Sequence, residues 1–212
     1  MSLQLSRIVL SGEADTWSDA GFIVSDDATL RIGTTVLELI DDADRPGIVT
    51  LHLDGLTAID DVDGLPLRHS DSPAIAADDL LVHPNGVIAI DHVVVLTPEL
   101  DRTADALAAA GFELRRRRDA ERDGHEVHQL FYWLGDVILE VVEDQRIASD
   151  APASVWGLAL TVGDLDVTAA VLGPLMSDPR AAVQPDRRIA SLRRDAGLSV
   201  PIAFMTPHVS AD

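Results

Sequence analysis

The chain has 212 residues, 47% of them hydrophobic and 25% charged, with 36 acidic residues against 16 basic ones and no cysteine. Every basic residue is an arginine, which removes Schiff-base lysines, pyridoxal phosphate anchoring and a P-loop lysine, and the lack of cysteine removes thiolate nucleophiles, disulfides and thiolate-held metals. A formal net charge of -20 argues against nucleic acid as a partner, and no stretch approaches the ~18 apolar residues of a membrane span, so a cytoplasmic protein is expected.

From the N-terminus, Ala20-Gly21-Phe22 is followed by Ile32-Gly33-Thr34-Thr35-Val36-Leu37-Glu38-Leu39-Ile40-Asp41 and by a strand-like Gly47-Ile48-Val49-Thr50-Leu51. The same order returns later as Ala110-Gly111-Phe112, then Leu134-Gly135-Asp136-Val137-Ile138-Leu139-Glu140-Val141-Val142-Glu143, then Gly157-Leu158-Ala159-Leu160. Three matches in one order, the middle one ungapped, point to a duplication. Residues 1–88 are therefore expected to be a degenerate N-terminal half of two shortened modules, roughly 5 to 46 and 47 to 88. His83-Pro84-Asn85-Gly86 reads as the turn joining the halves and is assigned no chemistry.

The best-formed module spans about 89–144. Ile90 to Leu96 is β-branched and apolar enough for a buried strand. Thr97 offers an N-cap hydroxyl, Pro98 suits a first helical position, and Leu100, Ala104, Leu107 and Ala108 share one helical face that Gly111 closes. The period then drops to two, predicting strands over Phe112 to Arg118, Glu126 to Trp133 and Val137 to Val142, with a polar turn from Asp119 to Gly124. After a link from Gln145 to Ser154, a second copy over about 155–208 has a strand from Leu158 to Val162, a helix opening at Asp164, and strands near Arg188 to Arg193 and Val200 to Met205.

This strand, helix, three-strand unit in tandem, the opening Ile90-Asp91-His92-Val93-Val94-Val95, the helix ending at Ala110-Gly111-Phe112 and the strand Gly135 to Glu140 resemble the vicinal oxygen chelate superfamily. That superfamily includes glyoxalase I, bleomycin resistance proteins, extradiol dioxygenases, fosfomycin-modifying enzymes and methylmalonyl-CoA epimerase. The resemblance covers residues 89 to 207 well and 5 to 88 faintly. It implies an α+β fold of tandem βαβββ modules that curl into a half-open β-sheet cup with flanking helices. It also implies one divalent metal, such as Fe, Mn, Ni or Zn, held by a histidine and a glutamate from first and last strands.

His92 and Glu140 stand at those metal positions in the first module, and Glu140 doubles as the expected proton-moving catalytic residue. A hydrogen-bonded His-Glu pair and a cup-lining carboxylate are the alternatives for the same residues. The second module departs from the pattern: Gly157 stands where a histidine is needed, and Phe204 or Met205 where a glutamate is needed. In the N-terminal half Glu38 matches Glu140, but Arg7 stands in place of His92, and His52 falls out of register.

For ligand binding, His128, Leu130 and Tyr132 share one face of a central strand, while Gln129, Phe131 and Trp133 share the other; His128 and Tyr132 are the chosen candidates. Of the run Arg115 to Arg118, one alternate pair can face the cup and bind a carboxylate or phosphate, and Arg116 is the candidate from it. His125 and His128 point to opposite faces, which disfavours a shared metal. The expected function is small-molecule binding in the cup, as a metal-dependent lyase, isomerase or dioxygenase or as a metal-free sequestering protein. The chain is expected as a monomer or a homodimer, with no nucleotide cofactor.

Overall fold

The computed structural model describes residues 2–57, 61–70, 81–122 and 125–208. The fold is α+β, with two open mixed sheets and few helices. Among the described residues no helix is long and apolar enough to cross a membrane.

The first sheet holds β1 (Gln4–Ser11), β2 (Thr29–Ile32), β3 (Thr35–Ile40), β4 (Ile48–Asp54) and β5 (Leu67–His69), with α1 (Ala14–Asp19) between β1 and β2. Its order is β2-β3-β1-β4-β5; β1 runs parallel to β3 and antiparallel to β4.

The second sheet holds β6 (Val87–Thr97), α2 (Leu100–Ala109), β7 (Leu114–Arg122), β8 (His125–Leu134) and β9 (Val137–Glu143), followed by β10 (Ser154–Val162), α3 (Leu165–Leu172), β11 (Arg180–Ala181), β12 (Arg188–Ser191) and β13 (Ile202–Met205). Its order is β11-β12-β13-β10-β6-β9-β8-β7. Each first strand is parallel to its module's last strand, β6 to β9 and β10 to β13, and β6 joins β10 antiparallel at the centre. Strand, helix and three strands thus occur in tandem, and the modules meet edge to edge. The outer strands β7 and β11 do not pair with each other, yet both line one cavity with His92 and Glu140 on the central strands.

The ten-residue repeat has a structural cause. Ile32 pairs with Thr35 and Leu134 with Val137, so each copy is a hairpin with a two-residue loop. Gly33 (φ 60°) and Gly135 (φ 70°) hold the positive-φ position that a type II′ turn reserves for glycine. The helices are also locally dictated. Asp164 accepts hydrogen bonds from Asp166 N–H at 2.8 Å and Val167 N–H at 3.2 Å, capping α3 as expected. At α2 the helix begins at Leu100, two residues later than the Thr97-Pro98 signal suggests; Thr97 Oγ1 instead accepts from Glu99 N–H at 3.1 Å and steadies the entry. The buried face of α2 is Leu100, Thr103 and Leu107, so Ala108, expected on that face, is exposed.

A continuous apolar core joins the sheets. The turn between them is structural rather than bland. Asn85 is fully buried, donating from Nδ2 to Ala20 O at 2.9 Å and accepting from Val87 N–H at 3.2 Å, while its backbone N–H donates to Gly21 O at 3.1 Å. His83 is buried too, with Nδ1 accepting from Ile23 N–H at 3.0 Å and Nε2 on Arg31 O at 2.9 Å, which fixes the neutral Nε2–H tautomer. Burial lowers its pKa, against a smaller raising effect of the Arg31 carbonyl. The strand pattern predicted over Phe112 to Arg118 begins at Leu114 and runs on to Arg122, and Asp123 and Gly124 of the predicted turn lie outside the described residues.

Candidate functional site

Two departures from regular pairing shape the cavity-bearing face of the larger sheet. Leu160 pairs with Ile90 and Ala159 with His92, which leaves Asp91 as an extra residue in β6. Such a bulge shifts the alternation of faces. Ile90, expected to share a face with His92, is therefore in the core, and Asp91 and His92 sit close enough to bond each other. A second irregularity, between Val155 and Gly157, singles out Trp156 on β10, which is 51% exposed and lines a cavity.

His92 and Glu140 meet. His92 Nε2 lies 3.2 Å from Glu140 Oε2, and both side chains are nearly buried. The other Glu140 oxygen accepts from Gln129 Nε2, and Gln129 Oε1 accepts from Arg118 Nε at 2.7 Å and from Arg118 Nη2. The Arg118 guanidinium also lies 5.4 Å over the Phe131 ring. On the other side, His92 Nδ1 is 2.8 Å from Asp91 Oδ1, and Asp91 Oδ2 accepts from Arg187 Nη2 and, at 3.3 Å, from Thr161 Oγ1. Asp91 is 8% exposed and Arg187 3%. Burial works against the Asp91 charge, but the bonds from His92 and Arg187 override it and hold this carboxyl well below the usual carboxylate range. A chain of polar contacts thus crosses the sheet from Arg118 on β7 to Arg187 before β12.

Two cavities open on this face and share a wall of Val127, Gln129 and Glu140. The smaller, about 340 Å³, adds His92, Arg118, Glu121 and Arg180. The larger, about 730 Å³, has an apolar floor that includes Val94, Leu96 and Val142, with Glu143, Asp144 and Trp156 at its sides.

The expected ligand-binding residues fall differently. Tyr132 is 2% exposed and packs edge-on against Phe112 at 6.2 Å, on the helix-packed face with Leu130 and Leu134, and burial pushes its phenol up to about 12. It is a core residue, because the row chosen from alternation is the one that α2 covers. His128 belongs to that row; it is held by Asp119 at 2.7 Å, which raises its pKa, and lines neither cavity. The opposite row is Val127, Gln129 and Phe131, of which Val127 and Gln129 line the cavities, and it pairs across the strands with Ala120, Arg118 and Arg116. Arg116 is exposed on that face without lining the cavity; Arg118, two residues on, is the arginine that reaches it. The side chain of His125 lies outside the described residues.

A resident metal does not fit the donors present among the described residues. His92 and Glu140 are two ligand-type side chains already in mutual contact, a guanidinium stands behind Gln129, and among the described residues no group of three or more His, Asp or Glu side chains converges on one point. The second module cannot supply the missing histidine at Gly157, because a Cβ there would lie 2.7 Å from Pro201 O. Facing the site from that module, the smaller cavity has Ile189 and Met205 in place of a carboxylate. The N-terminal sheet holds a cationic version of the same pair: Val9 pairs with Glu38 as Val94 does with Glu140, and Arg7 Nη1 binds Glu38 Oε2 at 2.8 Å. His52 lies across from Arg7, its pKa lowered by burial and then by that arginine. Neither Glu38 nor His52 lines the cavities beside His92.

No protein-family model matches the chain, and no curated protein is significantly similar to it. Solved structures are similar at low identity. Methylmalonyl-CoA epimerase from Mycobacterium tuberculosis is 16% identical with a TM-score of 0.48, over 58% of this chain and 91% of that one. A Streptomyces coelicolor methylmalonyl-CoA epimerase variant in complex with 2-nitronate-propionyl-CoA is 20% identical with a TM-score of 0.48, over 59% and 99%. Likeness at this level carries nothing about substrate or activity. In its own strand order and pairing, the larger sheet of this chain holds two strand, helix, three-strand units joined edge to edge through β6 and β10.

Proposed function

We propose that the chain binds a small organic molecule in the cup of the larger sheet, with His92 and Glu140 at the centre of the site and without a resident metal. The observation that carries this reading is the position of Glu140: it lies on the wall shared by both cavities, with one oxygen toward His92 and the other on Gln129. Concave sites with an apolar floor and a few convergent polar groups are where proteins hold small ligands. The two-ligand donor set among the described residues favours this over a metal-dependent lyase, isomerase or dioxygenase.

Proton transfer is the second reading, favoured by the same geometry. His92 has a carboxylate oxygen near each ring nitrogen, and one of these belongs to Glu140 on the wall of both cavities. Glu140 is then the group placed to take a proton from a bound molecule. The test is a ligand-observed NMR fragment screen on EDTA-treated protein, with Glu140→Gln and His92→Ala alongside. Binding at one site, weakened by both substitutions, supports the cup. Binding that appears only after Fe, Mn, Ni or Zn is restored overturns the metal-free reading. Turnover of a bound fragment lost in Glu140→Gln, with binding retained, would establish the second reading.

A further inference from the structure

The smaller cavity is flanked by guanidinium groups from opposite edges of the sheet, Arg118 on β7 and Arg180 on β11. Arg118 is half-buried and held in place: its Nε and Nη2 bind Gln129, its plane lies over Phe131, and its remaining N–H groups have no hydrogen-bond partner among the described residues. The side chain of Arg180, exposed on β11, has no ion pair or hydrogen bond among the described residues. That is notable in a protein with 36 acidic residues, and more so because Glu121 and Glu140 line the same cavity and neither takes it. Within the run Arg117 binds Asp101 at 2.9 Å and Arg115 lies 3.7 Å from Glu113, while Arg116, exposed and away from the cavity, has no side-chain partner among the described residues.

We infer that the occupant of this cavity carries an oxyanion, a carboxylate or a phosphate, clamped between Arg118 and Arg180. The inference rests on the reading that the cup is the ligand site. Guanidinium forks match both oxyanions and bind them in bidentate fashion. An anion held there lies beside His92 and Glu140, so the rest of the ligand extends along the shared wall toward the apolar floor of the larger cavity. The clamp also selects a substrate class against the overall negative charge of the protein.

The test follows the arginine Nε–H signals in two-dimensional 15N–1H spectra during titration with malonate, inorganic phosphate and uncharged malonamide, using the full chain and the variants Arg180→Gln, Arg118→Gln and Arg194→Gln. Arg194 lies outside the cavity lining and controls for general charge. The expected result is saturable movement of the Arg118 and Arg180 signals with malonate or phosphate and none with malonamide, and affinity about tenfold weaker in Arg180→Gln and Arg118→Gln but unchanged in Arg194→Gln. Whichever anion binds more tightly identifies the oxyanion. The inference is overturned if neither anion saturates, if malonamide binds equally well, or if Arg194→Gln weakens binding as much as Arg180→Gln. A neutral or amine fragment that occupies the cup while both anions fail overturns the clamp and leaves the cup standing; no binding by any compound overturns both.

Discussion

Replacing Arg187 by methionine tests the lock behind His92. In the parent, Arg187 Nη2 binds Asp91 Oδ2, with both residues buried, and Arg187 Nε donates to Thr206 O at 2.8 Å. Removing one partner of a buried pair costs about 3–5 kcal/mol, because a charge is left in a poorly solvating interior. Asp91 keeps His92 at 2.8 Å and Thr161 at 3.3 Å, which places the loss near the lower end, about 3 kcal/mol. For a chain of this length that is a fall in Tm of about 6–12 °C. The pH dependence follows from the low native pKa of Asp91. Below pH ~3.9 the unfolded chain takes up this proton first, so the stabilisation is complete above that pH and lost as the pH falls toward the native value. The Arg187→Met penalty should therefore be full at pH 7 and shrink below pH ~4. Urea unfolding followed by tryptophan fluorescence measures both, and Asp91→Leu combined with Arg187→Met should recover most of the loss, since no buried charge is stranded. A single variant within about 0.5 kcal/mol of the parent at pH 7, or a penalty equal at both pH values, would refute the reasoning.

Two further outcomes are expected. His83→Gln should cost about 1–3 kcal/mol at pH 8 through lost buried hydrogen bonds. Because burial lowers the His83 pKa, the neutral ring stabilises the fold fully above pH ~6.5 and less as the pH falls, so the gap between parent and variant should narrow in melts at pH 5.5. Gly157→His, which restores a histidine to the position the family pattern calls for, should lower the Tm and confer no added melting shift with Zn(II) or Ni(II), because Pro201 O occupies the space of its Cβ. A stable variant with a new metal-dependent shift would show that backbone adjustment makes room.

Much of this architecture is legible in the residues because local signals agree with the fold. The Gly33 and Gly135 hairpins repeat for a conformational reason, and the Asp164 cap appears where the helix opens. His92 and Glu140 do come together, since β6 and β9 are parallel neighbours in a fixed register. What escapes is set by departures from strict alternation. The extra residue at Asp91 moves Ile90 into the core and turns an acid inside an apolar run into a partner of His92. Which face of β8 is covered depends on where α2 docks and on Phe112 just beyond it packing on Tyr132, so period-two reasoning gives two rows without saying which is wet. Arg180 and Arg187 come from short segments far along the chain, and only the return of β11 to β13 brings them to the site of His92.

The most direct test of the metal-free cup is elemental mass spectrometry of the purified protein, together with melting shifts for Fe(II), Mn(II), Ni(II) and Zn(II) in the parent and His92→Ala. The account predicts substoichiometric metal and no ion whose stabilising shift depends on His92. One equivalent of metal per chain, lost in His92→Ala together with a melting shift of the parent, would contradict it.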